Sequence, residues 1–223
     1  MIAEENLSNT PSPNINVSNT KVLLIISKLM KQTVPSFKTY LVSDFYKKRK
    51  LNEDDFTQVY IEQAQILIRK YDYPFNINGQ YRDITNLSKG FSDFYFYPNE
   101  QNVSTTSFFS VESKRLPSPE KSREKEYVIG TKNNGGIERY KTEKHGKGLD
   151  KCGLLGFIEK EDSTYWFKEV NEWIEDLTKI NSDWKKDEIL SEIEANIDYC
   201  ILQSIAHKKS DTIDLTHLWI ILN

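Results

Sequence analysis

Three residues in the middle of the chain have the types and spacing to do chemistry: Asp93, Glu112 and Lys114. Asp93 interrupts the aromatic run Phe91-Ser92-Asp93-Phe94-Tyr95-Phe96-Tyr97, where a charge is costly unless it is paired. Glu112 and Lys114 flank Ser113, and in a strand positions i and i+2 project from the same face. An acid and an ammonium therefore stand side by side, and a paired neighbouring strand can bring Asp93 onto the same face. Two carboxylates, with the Ser113 carbonyl, are hard oxygen ligands for Mg²⁺ or Mn²⁺. Such a metal polarises a phosphate and lowers the pKa of bound water, and an adjacent lysine orients that water and stabilises the developing charge. The chemistry to expect is phosphodiester hydrolysis; the plain alternative is an exposed salt bridge on a strand.

The elements that must position these residues are read from periodicity. Short helices are predicted near 21–32 and 36–49, the second ending in Lys47-Lys48-Arg49-Lys50, basic residues that suit a helix C-terminus. Asn52 caps a further helix running to about Lys70, with Phe56, Val59, Tyr60, Ala64 and Leu67 at helical spacing. Strands are predicted at 91–97 and 107–114, joined by an Asn/Ser/Thr-rich loop, and a helix on each side of Asn133-Asn134-Gly135-Gly136. A short strand at 154–158, an amphipathic helix carrying Trp166, Val170, Trp173, Ile174 and Leu177, a helix at 184–196, and strands at 198–207 and 212–222 complete the chain. The fold class is α/β, a mixed central β-sheet flanked by helices. Residues 1–20 read as a flexible tail, 21–52 as an N-terminal helical extension, and 53–223 as the main domain.

This order of elements, with Ser92-Asp93 in one strand and Glu112-Ser113-Lys114 in the next, resembles the PD-(D/E)xK nuclease superfamily, the restriction-endonuclease-like fold with its αβββαβ core. Ser92 stands where that motif has proline. Val111-Glu112-Ser113-Lys114-Arg115-Leu116, Gly136-Ile137-Glu138-Arg139-Tyr140 and Gly153-Leu154-Leu155-Gly156-Phe157-Ile158 look like a layout found in bacterial members, some of them associated with phage defence. The resemblance implies a metal-dependent endonuclease using Mg²⁺ or Mn²⁺. Asp93, Glu112 and the Ser113 carbonyl would bind the metal, and Lys114 would position water. Glu62 on the first core helix would complete the site, with Gln63 and Gln65 as neighbours in register. It also implies a nucleic-acid-facing helix after the catalytic strand, so Arg115, Arg139, Tyr140, Lys141 and Lys144 are candidate backbone contacts. His207 and Lys208 at the final hairpin are further candidates, although turn lysines also serve to block strand association. DNA is the expected substrate, and RNA is compatible.

Composition bounds these readings. The 223 residues carry 30 Lys+Arg against 33 Asp+Glu, a net charge of −3 that excludes a generally basic nucleic-acid coat. The charge is uneven: residues 112–151 hold 11 basic and 7 acidic side chains, and residues 159–198 hold 5 and 13. The acidic stretch motivates a second reading, a weakly catalytic or non-catalytic subunit of the same fold that binds nucleic acid or a protein partner, such as an ATPase or sensor of a defence complex. A homodimer would suit cleavage of two strands. A third reading is a repressor using the basic hairpin alone. Cys152 and Cys200 make neither a disulfide framework nor a zinc site, no apolar run spans a bilayer, and a cytoplasmic setting is expected.

Overall fold

A computed structural model describes residues 19–44, 46–47, 49–82, 90–100, 107–209 and 211–223. Residues 1–18 of the predicted tail and most of the loop joining the two middle strands lie outside these, and the last two residues of that tail open the first helix. The chain is mixed α/β. Helices α1 (Asn19–Leu41) and α2 (Glu53–Tyr71) precede strands β1 (Phe75–Arg82), β2 (Phe91–Pro98) and β3 (Phe109–Leu116). A 3-10 turn (Lys121–Tyr127), the short α3 (Gly136–Lys141), β4 (Lys151–Ile158) and α4 (Ser163–Ile180) follow, then β5 (Ser191–Ala195), β6 (Tyr199–His207) and β7 (Thr212–Ile221).

The seven strands form one mixed sheet in the order β1-β2-β3-β4-β7-β6-β5. β3, β4 and β7 run parallel in its centre, and the remaining neighbours are antiparallel. Alternation along the strands divides the interior into two cores. Ile26, Leu29, Val34 and Phe37 of α1 and Phe56, Tyr60 and Ala64 of α2 pack on Phe94, Phe96, Phe109, Val111 and Phe157 on one face. Tyr127, Ile137, Tyr140, Trp166, Trp173 and Trp219 fill the other. The first helix therefore shares a core with the sheet.

Several expectations change. The helices predicted at 21–32 and 36–49 are one helix that carries Pro35 inside it and stops at Leu41, so Lys47, Arg49 and Lys50 lie beyond its last turn. β1 was not expected: Phe75 and Ile77 are buried in alternation, but Asn76, Asn78 and Gly79 beside them mask a strand pattern. The helix predicted at 184–196 is a 3-10 turn, Lys186–Glu188, followed by the edge strand β5. A buried ion pair between Glu188 and Lys141 of α3 fixes that turn.

Candidate functional site

α2 begins with a capping box. Asn52 accepts from the Asp55 amide, and Asp55 in turn accepts from the Asn52 amide, each at 2.9 Å. This sets the first turn over the C-terminal half of β3. The Glu53 carboxylate reaches Lys114 Nζ with Oε1 (3.0 Å) and accepts the Arg115 amide with Oε2 (3.0 Å).

The β2–β3 ladder stops early. Its last pair is Phe94 with Val111, although β2 extends back to Phe91 and β3 forward to Leu116. Backbone groups that a neighbouring strand would satisfy are left facing the gap. The Ser113 amide donates to Asp93 Oδ2 (2.6 Å), the Ser113 carbonyl accepts from Lys114 Nζ (2.7 Å), and the Arg115 amide goes to Glu53. Side-chain charges thus finish the edge of β3, and Asp93, Glu112 and Lys114 gather there.

Glu112 is completely buried. Its Oε1 accepts from Lys114 Nζ at 2.9 Å and from Arg139 Nη1. Its Oε2 lies 2.9 Å from His145 Nδ1 but without hydrogen-bond alignment, so both atoms are buried and unsatisfied. Burial opposes ionisation of Glu112, yet Lys114, His145 and Arg139 outweigh it and hold the carboxyl down at about 2. Asp93 goes the other way: burial, then the like charge of Glu112, push it up to about 7, against the pull of Lys114. For Lys114, burial works against the charge, but Glu112, Glu53 and Asp93 prevail and raise its pKa. Gly136 allows the start of α3 to close on this lysine. A Cβ there would sit 2.8 Å from the Tyr127 carbonyl and 2.9 Å from Leu154 Cδ2.

Of the residues expected from sequence, Asp93, Glu112, Ser113, Lys114 and Arg139 come together, and Glu62 does not. Glu62 accepts from Gln58 Nε2 (2.9 Å) on an exposed part of α2. Nine residues separate it from Glu53, which is two and a half turns and places it on the opposite side of the helix. Glu53 is the helix carboxylate at the site. Gln65 donates to the Ile77 carbonyl (3.3 Å), and Gln63 is half-buried on α2. His145, which the sequence offers either as a phosphate contact or as an inert loop histidine, instead lies beside Glu112.

The expected nucleic-acid contacts are also rearranged. Tyr140 is fully buried, donating to the Gly153 carbonyl at 2.8 Å, so it belongs to the core and not to a phosphate-binding surface. Lys141 is buried against Glu188 and over the Trp184 ring. Arg115 is held by both oxygens of Glu159. His207 meets Asp187 at 3.0 Å, and Lys208 meets Asp211 at 3.0 Å. Lys144 is half-buried and donates to the carbonyls of Lys132 and Asn133, both at 2.8 Å.

The donor set suits a hard divalent cation. Asp93 and Glu112 offer carboxylates, Ser113 a carbonyl, and Glu112 Oε2 is a buried oxygen without a hydrogen bond. Among the described residues, no three His, Cys, Asp or Glu side chains are grouped to hold a metal ion. Two carboxylates with the rest of the shell from water and phosphate is the usual mode of Mg²⁺. Also among the described residues, no helix is long and apolar enough to cross a membrane. Compared with protein-family models, curated proteins and solved structures, the chain matches none.

Proposed function

We propose that this chain is a metal-dependent nuclease that hydrolyses phosphodiester bonds, with DNA the expected substrate and Mg²⁺ or Mn²⁺ the cofactor. The observation that carries the reading is the meeting of Asp93, Glu112, Lys114 and Glu53 at the unpaired edge of β3. The order α2–β1–β2–β3–α3–β4 agrees with an αβββαβ restriction-endonuclease-like core. Asp93, Glu112 and the Ser113 carbonyl would hold the cation, which when bound polarises the phosphate and acidifies a bound water. Lys114 stays charged at neutral pH and donates to an attacking water or a phosphate oxygen. Its three protons are already engaged by Glu112, Glu53 and Ser113, so it must exchange one partner to do so. Glu53 is the partner to give way, because its side chain is 27% exposed whereas that of Glu112 is fully buried. Arg139, 23% exposed and already beside Glu112, supplies a second cation for the phosphate.

A second reading has its own support. Glu112 is paired with Lys114 and Arg139 and lies beside His145, so its charge is already compensated without a ligand. In that reading the chain is a nuclease-fold subunit that binds nucleic acid or a partner such as an ATPase or sensor of a defence complex. Incubation with plasmid, linear DNA and RNA in Mg²⁺, Mn²⁺ or EDTA separates the two. The nuclease reading requires metal-dependent cleavage that Lys114→Ala and Asp93→Ala abolish while circular dichroism stays native. Cleavage unchanged in both variants removes the site assignment, and no cleavage under any condition favours the subunit.

A further inference from the structure

A basic surface adjoins the site on the α1–α2 connection, a segment that carries neither the site residues nor the expected contacts. An open cavity of about 540 Å³ lies between the α1–α2 connection and the C-terminal ends of the parallel strands. Its charged lining is Lys38, Lys47, Arg49, Lys50 and Arg115 against the single carboxylate of Glu159. That carboxylate is already bound by Arg115, and Lys38 pairs with Asp198 at 2.7 Å. The remainder of the wall is apolar, with Leu41, Leu51, Phe56 and Leu222 among its residues. Glu159 and Leu222 follow β4 and β7 directly, and Arg115 is the penultimate residue of β3. The cavity therefore sits at the carboxyl ends of parallel strands, the usual location of ligands in such sheets.

Two links join it to the site. Arg115 follows Lys114, and Phe56 lies one helical turn after Glu53, so the same turn of α2 and the same end of β3 form one wall of each. The chemistry of the lining selects the occupant. Lysines and an arginine at the rim suit consecutive phosphates, whereas apolar walls suit the faces of bases. A duplex keeps its bases stacked inside and presents only phosphates and groove edges; an unpaired strand presents both. The volume is that of a small-ligand pocket, the scale of one or two nucleotides.

We infer that this cavity binds an unpaired stretch of nucleic-acid strand flanking the phosphate at Lys114. The inference rests on the nuclease reading for its place beside the reacting phosphate, and deepens it by naming single-stranded nucleic acid as the substrate class. The test is fluorescence anisotropy in EDTA with a labelled 12-nucleotide DNA strand, the same RNA strand, and the DNA duplex. Proteins are the wild type, Lys47→Glu/Lys50→Glu, and Lys168→Glu/Lys179→Glu on α4 as control. The single strands bind at least tenfold more tightly than the duplex, and the Lys47/Lys50 variant loses at least tenfold of that affinity. Its salt dependence of log K falls by about 1.4, or 0.7 for each phosphate contact removed. The control variant is unchanged. Equal affinity for strand and duplex, or an unaffected Lys47/Lys50 variant, overturns the inference; so does inorganic polyphosphate competing as well as the oligonucleotide, because the cavity then reads charge alone. The two readings fail separately. Lys114→Ala that still cleaves removes the nuclease site and leaves the binding result, whereas loss of cleavage in Lys114→Ala with Lys47/Lys50 binding intact removes only the cavity.

Discussion

Asp93→Asn isolates the electrostatic cost of assembling the site. The wild-type carboxyl is pushed from 3.8 to about 7 by burial and by Glu112. Below pH 3.8 both folded and unfolded chains carry the proton, and Asp93 contributes no pH dependence. Between 3.8 and 7 the folded chain keeps a proton that the unfolded chain has lost, so stability falls as pH rises. Above 7 both are ionised and the penalty is constant. A shift of about three units corresponds to a ceiling of about 4 kcal/mol. Asparagine does not titrate, and its amide oxygen still accepts from the Ser113 amide. In urea unfolding with EDTA, the stability difference between the Asp93→Asn and wild-type chains should shift progressively toward the variant from about pH 4 to 7 and then level off. Thermally, 1 kcal/mol is worth about 2–4 °C for a chain of this size, so the full effect approaches ~10 °C. Adding Mg²⁺ at about pH 8 should stabilise the wild type and not the variant, because only an ionised Asp93 gains from the cation. A difference that is flat with pH refutes the electrostatic account, and equal Mg²⁺ stabilisation of both chains refutes Asp93 as a metal ligand.

Glu53→Gln weakens the contact that Lys114 must release and should raise cleavage by a few-fold, whereas Glu62→Gln should leave cleavage unaltered and stability within about 0.5 kcal/mol, as for other surface positions; cleavage rates and urea midpoints of the pair check this. Gly90→Ala should destabilise by about 1–3 kcal/mol, since the new Cβ would lie 2.5 Å from His145 Cδ2 and 2.6 Å from the Lys144 carbonyl; a neutral urea midpoint would contradict the packing. His217, between Tyr127 (2.8 Å) and Ser204 (2.9 Å), has its pKa lowered to about 3 by burial. The unfolded chain protonates at about 6.5, so stability should fall as pH drops from 6.5 toward 3, a slope that His217→Gln removes in acid titration of unfolding.

The strands carrying Asp93 and Glu112-Ser113-Lys114 were legible because aromatic-rich runs stand between turn signals, and the i, i+2 rule placed Glu112 and Lys114 together. The helix carboxylate was not. Glu53 has the ordinary appearance of an acid in a first helical turn, and only the angle at which α2 crosses β3 shows that its carboxylate reaches Lys114. Glu62, chosen by resemblance, falls on the wrong side of the same helix. Basic residues were over-read as surface contacts because sequence does not record their partners. Lys141 follows the fully buried Tyr140 and pairs with Glu188, which comes 47 residues later in the chain. The helix expected at 184–196 failed for a related reason, since the tertiary pairing of Glu188 and the sheet edge prevail over local propensity.

The early end of the β2–β3 ladder has a consequence for how the site can be watched. Two amides, those of Ser113 and Arg115, owe their protection to single carboxylates rather than to a strand. Each is an intrinsic gauge of the acid that holds it: hydrogen exchange at Ser113 follows Asp93, and exchange at Arg115 follows the seating of the first turn of α2 through Glu53. A β2 paired along its whole length would have silenced both gauges and closed the edge. Among the described residues the β2–β3 ladder stays open where, in the proposed nuclease, Lys114 exchanges a partner, so local opening and access to the site would be the same motion.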